Sequence, residues 1–224
     1  MISRVAQNSA EATTVTIPAG HQAGDLLIIF AFNDGSVTNP TIPAGWNNVT
    51  NTFDGTLCSV SVGWKIAASS SETSGTWTSA TGLMVVVLRN TDDASPVMTN
   101  ATSSGTSNTL TFAALTDSNL KGAHGFYLFA FVAHRSIDTN IDAAPPSGMT
   151  NFLSALGATQ DMAAHEAASD DSWASTNSSI TGTASGWQSM VLAIRPARFK
   201  LNNYQHLSAG VGNAGVISVS EKIR

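Results

Sequence analysis

Two stretches of this chain, 106 residues apart, read almost alike. Met84–Arg89 (MVVVLR) is matched by Met190–Arg195 (MVLAIR). Upstream of each lies a Pro-x-Gly turn signal, Pro43-Ala44-Gly45-Trp46 in the first copy and Pro146-Ser147-Gly148-Met149 in the second. Two elements kept in the same order at nearly the same spacing indicate a duplicated unit. The repeat predicts two halves of one plan, at about residues 5–90 and 108–197.

Both halves show short strand signals, whereas helix signals are sparse. In the first half the predicted strands are Thr13 to Ile17, Leu26 to Phe32, Leu57 to Ile66, Gly75 to Ser79 and Met84 to Leu88. In the second half they are Thr109 to Phe112, Gly125 to Val132, Asp161 to Ala167, Ile180 to Thr183 and Met190 to Ile194. Runs that are apolar throughout, such as Leu26 to Phe32, indicate strands buried on both faces. Residues 154–166 contain good helix formers but no helical period, so a strand is predicted there as well.

These signals predict an all-β fold, one intertwined, jelly-roll-like antiparallel β-sandwich of residues 1–197, in which strands are exchanged between the halves or each half contributes one sheet. Two sandwiches in series are the alternative. The Ser-, Thr- and Asn-rich residues 90–107 are predicted as the linker between the halves. Residues 198–224 have no counterpart in the first half and are predicted to form a C-terminal arm.

The composition favours a protein that packs against other proteins. Charged residues make up 11% of the chain, less than half the usual share of about a quarter. Short hydroxyl and amide side chains replace them, and such a surface is desolvated at little cost. The net charge of −5 argues against a nucleic-acid partner, since that affinity rests on Lys and Arg at phosphates.

The single cysteine and the short apolar runs argue against disulfides and membrane spans. The single cysteine, Cys58, lies in an alternating strand and is predicted to be a buried thiol without a disulfide partner. The longest apolar runs are far shorter than the ~20 residues of a membrane span, so no membrane is expected. The N-terminal residues encode no secretory signal.

No catalytic, cofactor or metal site is predicted. His165-Glu166 begins like a zinc-protease motif, but Ser169 stands where the second histidine is required. Glu166 with Asp170 and Asp171 lacks the alternating ligands of a calcium loop. A glycan hydrolase using Asp34 and Asp54 is a remote alternative, because nothing in the sequence pairs these carboxylates across a cleft.

Aromatic and strand-forming residues supply the candidate contacts. Most of the five tryptophans are expected in the core. Trp46 is the best candidate for an exposed ring that could stack on a sugar. In the arm, Val216–Ser220 alternates like a strand without a partner, which favours addition to the sheet edge of a neighbouring subunit. The candidate contacts for a partner or glycan are therefore Trp46, Phe199, Tyr204, Val216, Ile217 and Val219.

Three strings together resemble a group of bacteriophage structural proteins. They are Pro18-Ala19-Gly20 followed by Gly24-Asp25-Leu26-Leu27, then the Pro43–Trp46 turn, and finally the apolar strand with Arg that closes each half, at Met84–Arg89 in the first half and with the ending Ala193-Ile194-Arg195-Pro196 in the second. The resemblance covers approximately residues 5–197. The second half departs from it with Met149 where the pattern has tryptophan.

This resemblance implies a non-enzymatic virion protein, most simply a capsid decoration or cement protein that stabilises the particle. Its implied partners are the major capsid protein or other virion proteins and further copies of itself. The alternatives are a minor tail or fibre protein and a module that binds a carbohydrate or receptor on the host surface. Location in the virion agrees with the lack of a secretory signal, since virions assemble in the host cytoplasm.

Overall fold

The fold consists of β-strands connected by turns and loops. The computed structural model describes residues 1–53, 57–115, 126–137, 139–168 and 173–197, and within these ranges it contains no helix. The strands are β1 (Ser3–Ala10), β2 (Leu26–Asp34), β3 (Asn47–Phe53), β4 (Cys58–Ile66), β5 (Gly82–Arg89), β6 (Val97–Gly105), β7 (Thr109–Phe112), β8 (Tyr127–His134), β9 (Thr150–Leu156), β10 (Asp161–Ala168), β11 (Thr176–Ser179) and β12 (Trp187–Ile194).

Each half of the chain forms one five-stranded antiparallel sheet. The order is β1-β5-β2-β4-β3 in the first sheet and β6-β12-β8-β10-β9 in the second. A small third sheet pairs β7 with β11. The predicted all-β fold, with antiparallel sheets packed as a sandwich, is thereby confirmed. The predicted intertwining is wrong for the two five-stranded sheets, because each takes its described strands from one half of the chain.

Three apolar layers explain why the central strands are apolar throughout. The inner layer lies between the sheets and takes alternate residues from both, such as Phe30 and Val86 from the first and Phe131 and Leu192 from the second. The remaining residues of these strands point outward, into an apolar layer on the far side of each sheet. Loop segments cover the outer face of the first sheet, and β7 and β11 cover that of the second. β2, β5, β8 and β12 are thus buried on both faces.

Two predicted strands are wrong, and a third is displaced. Residues 13–17 and 75–79 lie outside the strands of the sheets. The strand predicted at residues 180–183 lies earlier, at β11. The other predicted strands, including the one preferred over a helix at β10, are confirmed, although Gly125 lies outside the described residues.

Four strands were missed, and all of them lie at sheet edges. β1, β3, β6 and β9 are rich in Ser, Thr and Asn and consist mostly of half-buried or exposed residues. An edge strand buries less of its side chains, so its hydrophobic signal is weak. β6 lies within the predicted linker at residues 90–107 and occupies half of it, and the second half therefore starts before residue 108.

The two sheets share irregularities as well as strand order. The edge strand β1 contains a bulge at Val5, and its counterpart β6 contains one at Met98. The opposite edge strands, β3 and β9, contain bulges at Val49 and Phe152. In the central pairs, Phe30 lies opposite Met84 just as Phe131 lies opposite Met190. The repeated MVVVLR and MVLAIR strings therefore occupy the same register in their sheets.

Matching residues of β2 and β8 meet between the sheets. The rings of Phe30 and Phe131 stack with centroids 5.3 Å apart. Four residues further along each strand, Arg135 Nε donates to Asp34 Oδ1 at 2.5 Å. β2 and β8 therefore run in the same direction in the two facing sheets. They are related by an approximate two-fold axis that is parallel to the strands and passes between the two residues of each pair. A second ion pair joins the two sheets: Arg4 donates to both carboxylate oxygens of Glu166, at 2.7 and 2.8 Å.

Candidate interaction surfaces

An ion pair joins two of the strings that carry the phage resemblance. Asp25 belongs to the Gly24–Leu27 string, and Arg89 ends the MVVVLR string of the first half. Arg89 Nε donates to Asp25 Oδ1 at 2.8 Å, and Nη2 donates to Oδ2 at 2.7 Å. Nη2 also donates to the carbonyl of Gly20 at 3.2 Å, and the Gln22 amide donates to Asp25 Oδ2 at 2.9 Å. The loop before β2 is thus fixed to the end of β5.

The charge state of Asp25 follows from this geometry. Burial by itself would raise the pKa of the carboxyl group, but the hydrogen bonds from Arg89 and Gln22 outweigh it and the pKa is lowered. Asp25 is therefore ionised at neutral pH although its side chain is only 2% exposed. A buried carboxylate that accepts two hydrogen bonds from one guanidinium group holds the two segments together.

The expectation that Trp46 offers an exposed ring is wrong. Trp46 is 9% exposed and packs edge-to-face against the fully buried Trp77, with ring centroids 5.7 Å apart. Lys65 Nζ lies 5.1 Å from the centre of the Trp46 ring and is itself bonded to Glu72. The Pro43–Trp46 turn inserts the ring into the apolar layer outside the first sheet, and a ring held there cannot stack on a sugar.

A groove runs along the loop segments that cover the outer face of the first sheet. It has a volume of about 390 Å³ and lies between Thr14–Ile17 and Glu72–Thr76. One backbone hydrogen bond, from the Trp77 amide to the Thr13 carbonyl at 2.8 Å, closes one end. Further along, the Val15 amide donates to the Ser74 hydroxyl at 3.1 Å. Thr14, Thr16, Thr73 and Thr76 are exposed residues of its lining.

Of the residues first considered for metal or acid–base chemistry, those that the structure describes lie in packing and ion-pair contacts. His165 is fully buried in the outer layer of the second sheet, near the ring of Phe112, and burial lowers its pKa to about 4. Glu166 binds Arg4, and Asp34 binds Arg135. Asp54, Asp170 and Asp171 lie outside the described residues. Within the described ranges, no three His, Cys, Asp or Glu side chains are grouped so as to hold a metal ion.

The remaining predicted contacts are in the arm. Phe199, Tyr204, Val216, Ile217 and Val219 all lie outside the described residues.

Cys58 is buried as predicted. No helix in the described part of the chain is long and apolar enough to cross a bilayer. The groove went unpredicted, because it depends on two segments 60 residues apart in sequence lying side by side.

Comparison with known proteins gives no assignment. No protein-family profile, no curated protein and no solved structure matches the chain.

Proposed function

We propose that the chain is a non-enzymatic structural protein of a bacteriophage virion, a decoration or cement protein that binds the outer capsid surface and stabilises the particle. The observation that carries this proposal is the contact between Asp25 and Arg89. It joins two strings of the phage-like pattern, and through this contact these strings brace one end of a rigid sandwich.

The architecture supports a role as a rigid structural component. Three apolar layers and clasps such as Arg4–Glu166 and Asp34–Arg135 tie the two sheets into one body. The shared strand order and the matching bulges support an origin by tandem duplication. The low share of charged residues suits a surface that is covered by neighbouring virion proteins.

Binding to particles tests this function. Particles assembled without this protein are mixed with the purified chain, and bound protein is measured after sedimentation. We expect saturable, stoichiometric binding by the full chain and none by a variant in which residues 198–224 are replaced by a Gly/Ser segment of equal length, while circular dichroism shows the same strand content. If the full chain does not bind particles, the proposal is wrong.

Electron microscopy of labelled particles separates head from tail. Label over the capsid surface supports the decoration role, and label confined to the tail or its fibres supports the minor tail or fibre alternative. The carbohydrate-binding alternative loses its main support with the burial of Trp46.

A further inference from the structure

One end of the sandwich carries most of the exposed large apolar side chains. Within the described ranges these side chains are Met1, Val37, Ile137 and Leu156. Leu156 ends β9 level with the end of β8, because Asp161 pairs with the last residue of each strand. Ile137 follows the end of β8 by three residues, and Val37 follows the end of β2 by three. Three of the four exposed apolar side chains therefore lie where β2 and β8 end.

Two opposite charges lie at the middle of the same end. Asp34 ends β2, Arg135 directly follows β8, and the two side chains form an ion pair between the sheets. β2 and β8 are the central strands of their sheets. The side chain of Arg135 is 28% exposed and that of Asp34 is 17% exposed, so both charges reach the surface. The approximate two-fold axis passes between them, and each sheet therefore presents one charge.

The C-terminal arm begins at the opposite end of the sandwich. There the Ala197 amide donates to the Asn90 carbonyl, and the Asn90 side chain donates to the carbonyl of Met1. A contact at the end that carries Asp34 and Arg135 therefore leaves the start of the arm uncovered.

We propose that this end binds the same end of a second copy of the chain. The two-fold axis of the dimer lies parallel to the sheets and perpendicular to the strands, so that the first sheet of each copy lies over the second sheet of the other. Asp34 of each copy then meets Arg135 of the other. Val37 of each copy lies on the side that carries Ile137 in the other. This inference goes beyond the proposed function and does not rest on it.

The charges select this axis over the alternative. An axis perpendicular to both sheets would place the first sheet of one copy over the first sheet of the other. Asp34 would then meet Asp34, and Arg135 would meet Arg135, which is unfavourable for like charges. In the proposed dimer the four charges alternate in sign, and each carboxylate lies beside two guanidinium groups.

The size of this end is sufficient for a weak dimer. Each sheet has five strands, and strands about 4.8 Å apart in sheets about 10 Å apart, with an apolar layer outside each, give an end of roughly 24 by 20 Å. Two such ends in contact bury roughly 1,000 Å², which is the lower limit of a specific interface. We therefore expect a dimer that forms at roughly micromolar concentrations and above.

Sedimentation velocity of the purified full chain tests the contact. Wild-type protein is expected to change from monomer to dimer as its concentration rises to about 100 µM. V37D/I137D places like charges in the contact and should weaken dimerisation at least about tenfold. The matched control S70D/S175D adds the same charge at exposed serines, one in the loop after β4 and one before β11, and should dimerise like the wild type.

Mixing experiments test the orientation of the two copies. In the exchange variant D34R/R135D, a dimer of identical copies still brings opposite charges together, so the variant should dimerise like the wild type. A dimer of one wild-type and one exchanged copy would bring two carboxylates together on one side and two guanidinium groups on the other. Energy transfer between donor-labelled and acceptor-labelled copies should show these mixed dimers to be at least about tenfold weaker than either dimer of identical copies.

Three outcomes would overturn the proposal. They are a wild-type chain that stays monomeric up to about 100 µM, equal loss of dimers in V37D/I137D and the control, and mixed dimers as tight as those of identical copies. Circular dichroism of each variant confirms that its strand content is unchanged. Because neither test uses particles, failure here leaves the particle-binding test of the proposed function unaffected.

Discussion

At the scale of single residues, matching positions of the two halves carry different side chains that fill the same space. Gly63 in β4 leaves room for Trp77, whose Cη2 would lie 2.9 Å from a Cβ added at Gly63. In the second half, the position that corresponds to Gly63 carries His165, and the one that corresponds to Trp77 carries Ile180. A glycine beside a large ring in one half thus corresponds to a histidine in the other, where His165 lies near the ring of Phe112.

The Gly63–Trp77 contact predicts a non-additive pair of substitutions. Gly63→Ala should lower the free energy of unfolding by about 1–3 kcal/mol, because the added methyl group meets Trp77 and the Asn47 carbonyl in a packed layer. In the double variant with Trp77→Phe, the smaller ring leaves space for the methyl group, so its loss should be clearly less than the sum of the single losses. Urea denaturation measures all three, and strictly additive losses would contradict this packing.

His165 predicts a pH dependence of stability. Its pKa is lowered to about 4 by burial, whereas in the unfolded chain it is near 6.5. Between these values the unfolded state binds the proton first, so stability falls as the pH drops from about 6.5 to 4, by roughly 3 kcal/mol in total. His165→Phe should reduce the loss of unfolding free energy between pH 7 and pH 5. Some dependence should remain, because burial also lowers the pKa of His134. An unchanged slope would contradict this role of His165.

At the scale of elements, the central strands were predictable and the edge strands were not. β2 and β5 are buried on both faces, and continuous apolar runs such as Leu26–Phe32 reveal this directly. β3 and β9 hold polar residues and are strands because a neighbouring strand pairs with them. The Asp25–Arg89 brace likewise depends on a loop and a strand end meeting in space.

The ion pair between Asp34 and Arg135 predicts that exchanging the two residues restores stability that either single substitution removes. Asp34 and Arg135 occupy matching positions, so a symmetric pair of identical halves would bring like charges together at this point. Replacing either charged residue with a neutral one should lower the free energy of unfolding by about 0.5–1 kcal/mol, since the pair is partly exposed. The exchange variant D34R/R135D should regain most of that loss, and the difference should shrink in high salt. Urea denaturation of the two single variants and of the exchange variant measures these free energies of unfolding. An exchange variant that is less stable than either single variant would contradict the prediction.

At the scale of the whole molecule, the layer between the sheets is shared, so the halves should unfold together. Phe131→Ala removes the ring that stacks on Phe30 and should cost about 3–5 kcal/mol. Hydrogen exchange followed by mass spectrometry should show a similar loss of protection in β2, β5, β8 and β12. Leu156→Ala, at a side chain that is 54% exposed, is the control and should change stability by less than about 0.5 kcal/mol. Loss of protection confined to the second sheet would show that the halves unfold separately.

The sequence by itself determined the strand class and the central strands, and it indicated the recurrence of one plan. These features follow from local pattern, because a strand buried on both faces must be apolar along its whole length. The MVVVLR and MVLAIR strings made the recurrence visible without any structure.

Only the tertiary structure decided the edge strands, the burial of Trp46 and the groove beside Thr14–Ile17. Each depends on which segments distant in the sequence lie side by side. Hydrogen-bond partners and neighbouring rings are supplied by those segments, and a local pattern of residues carries no record of them.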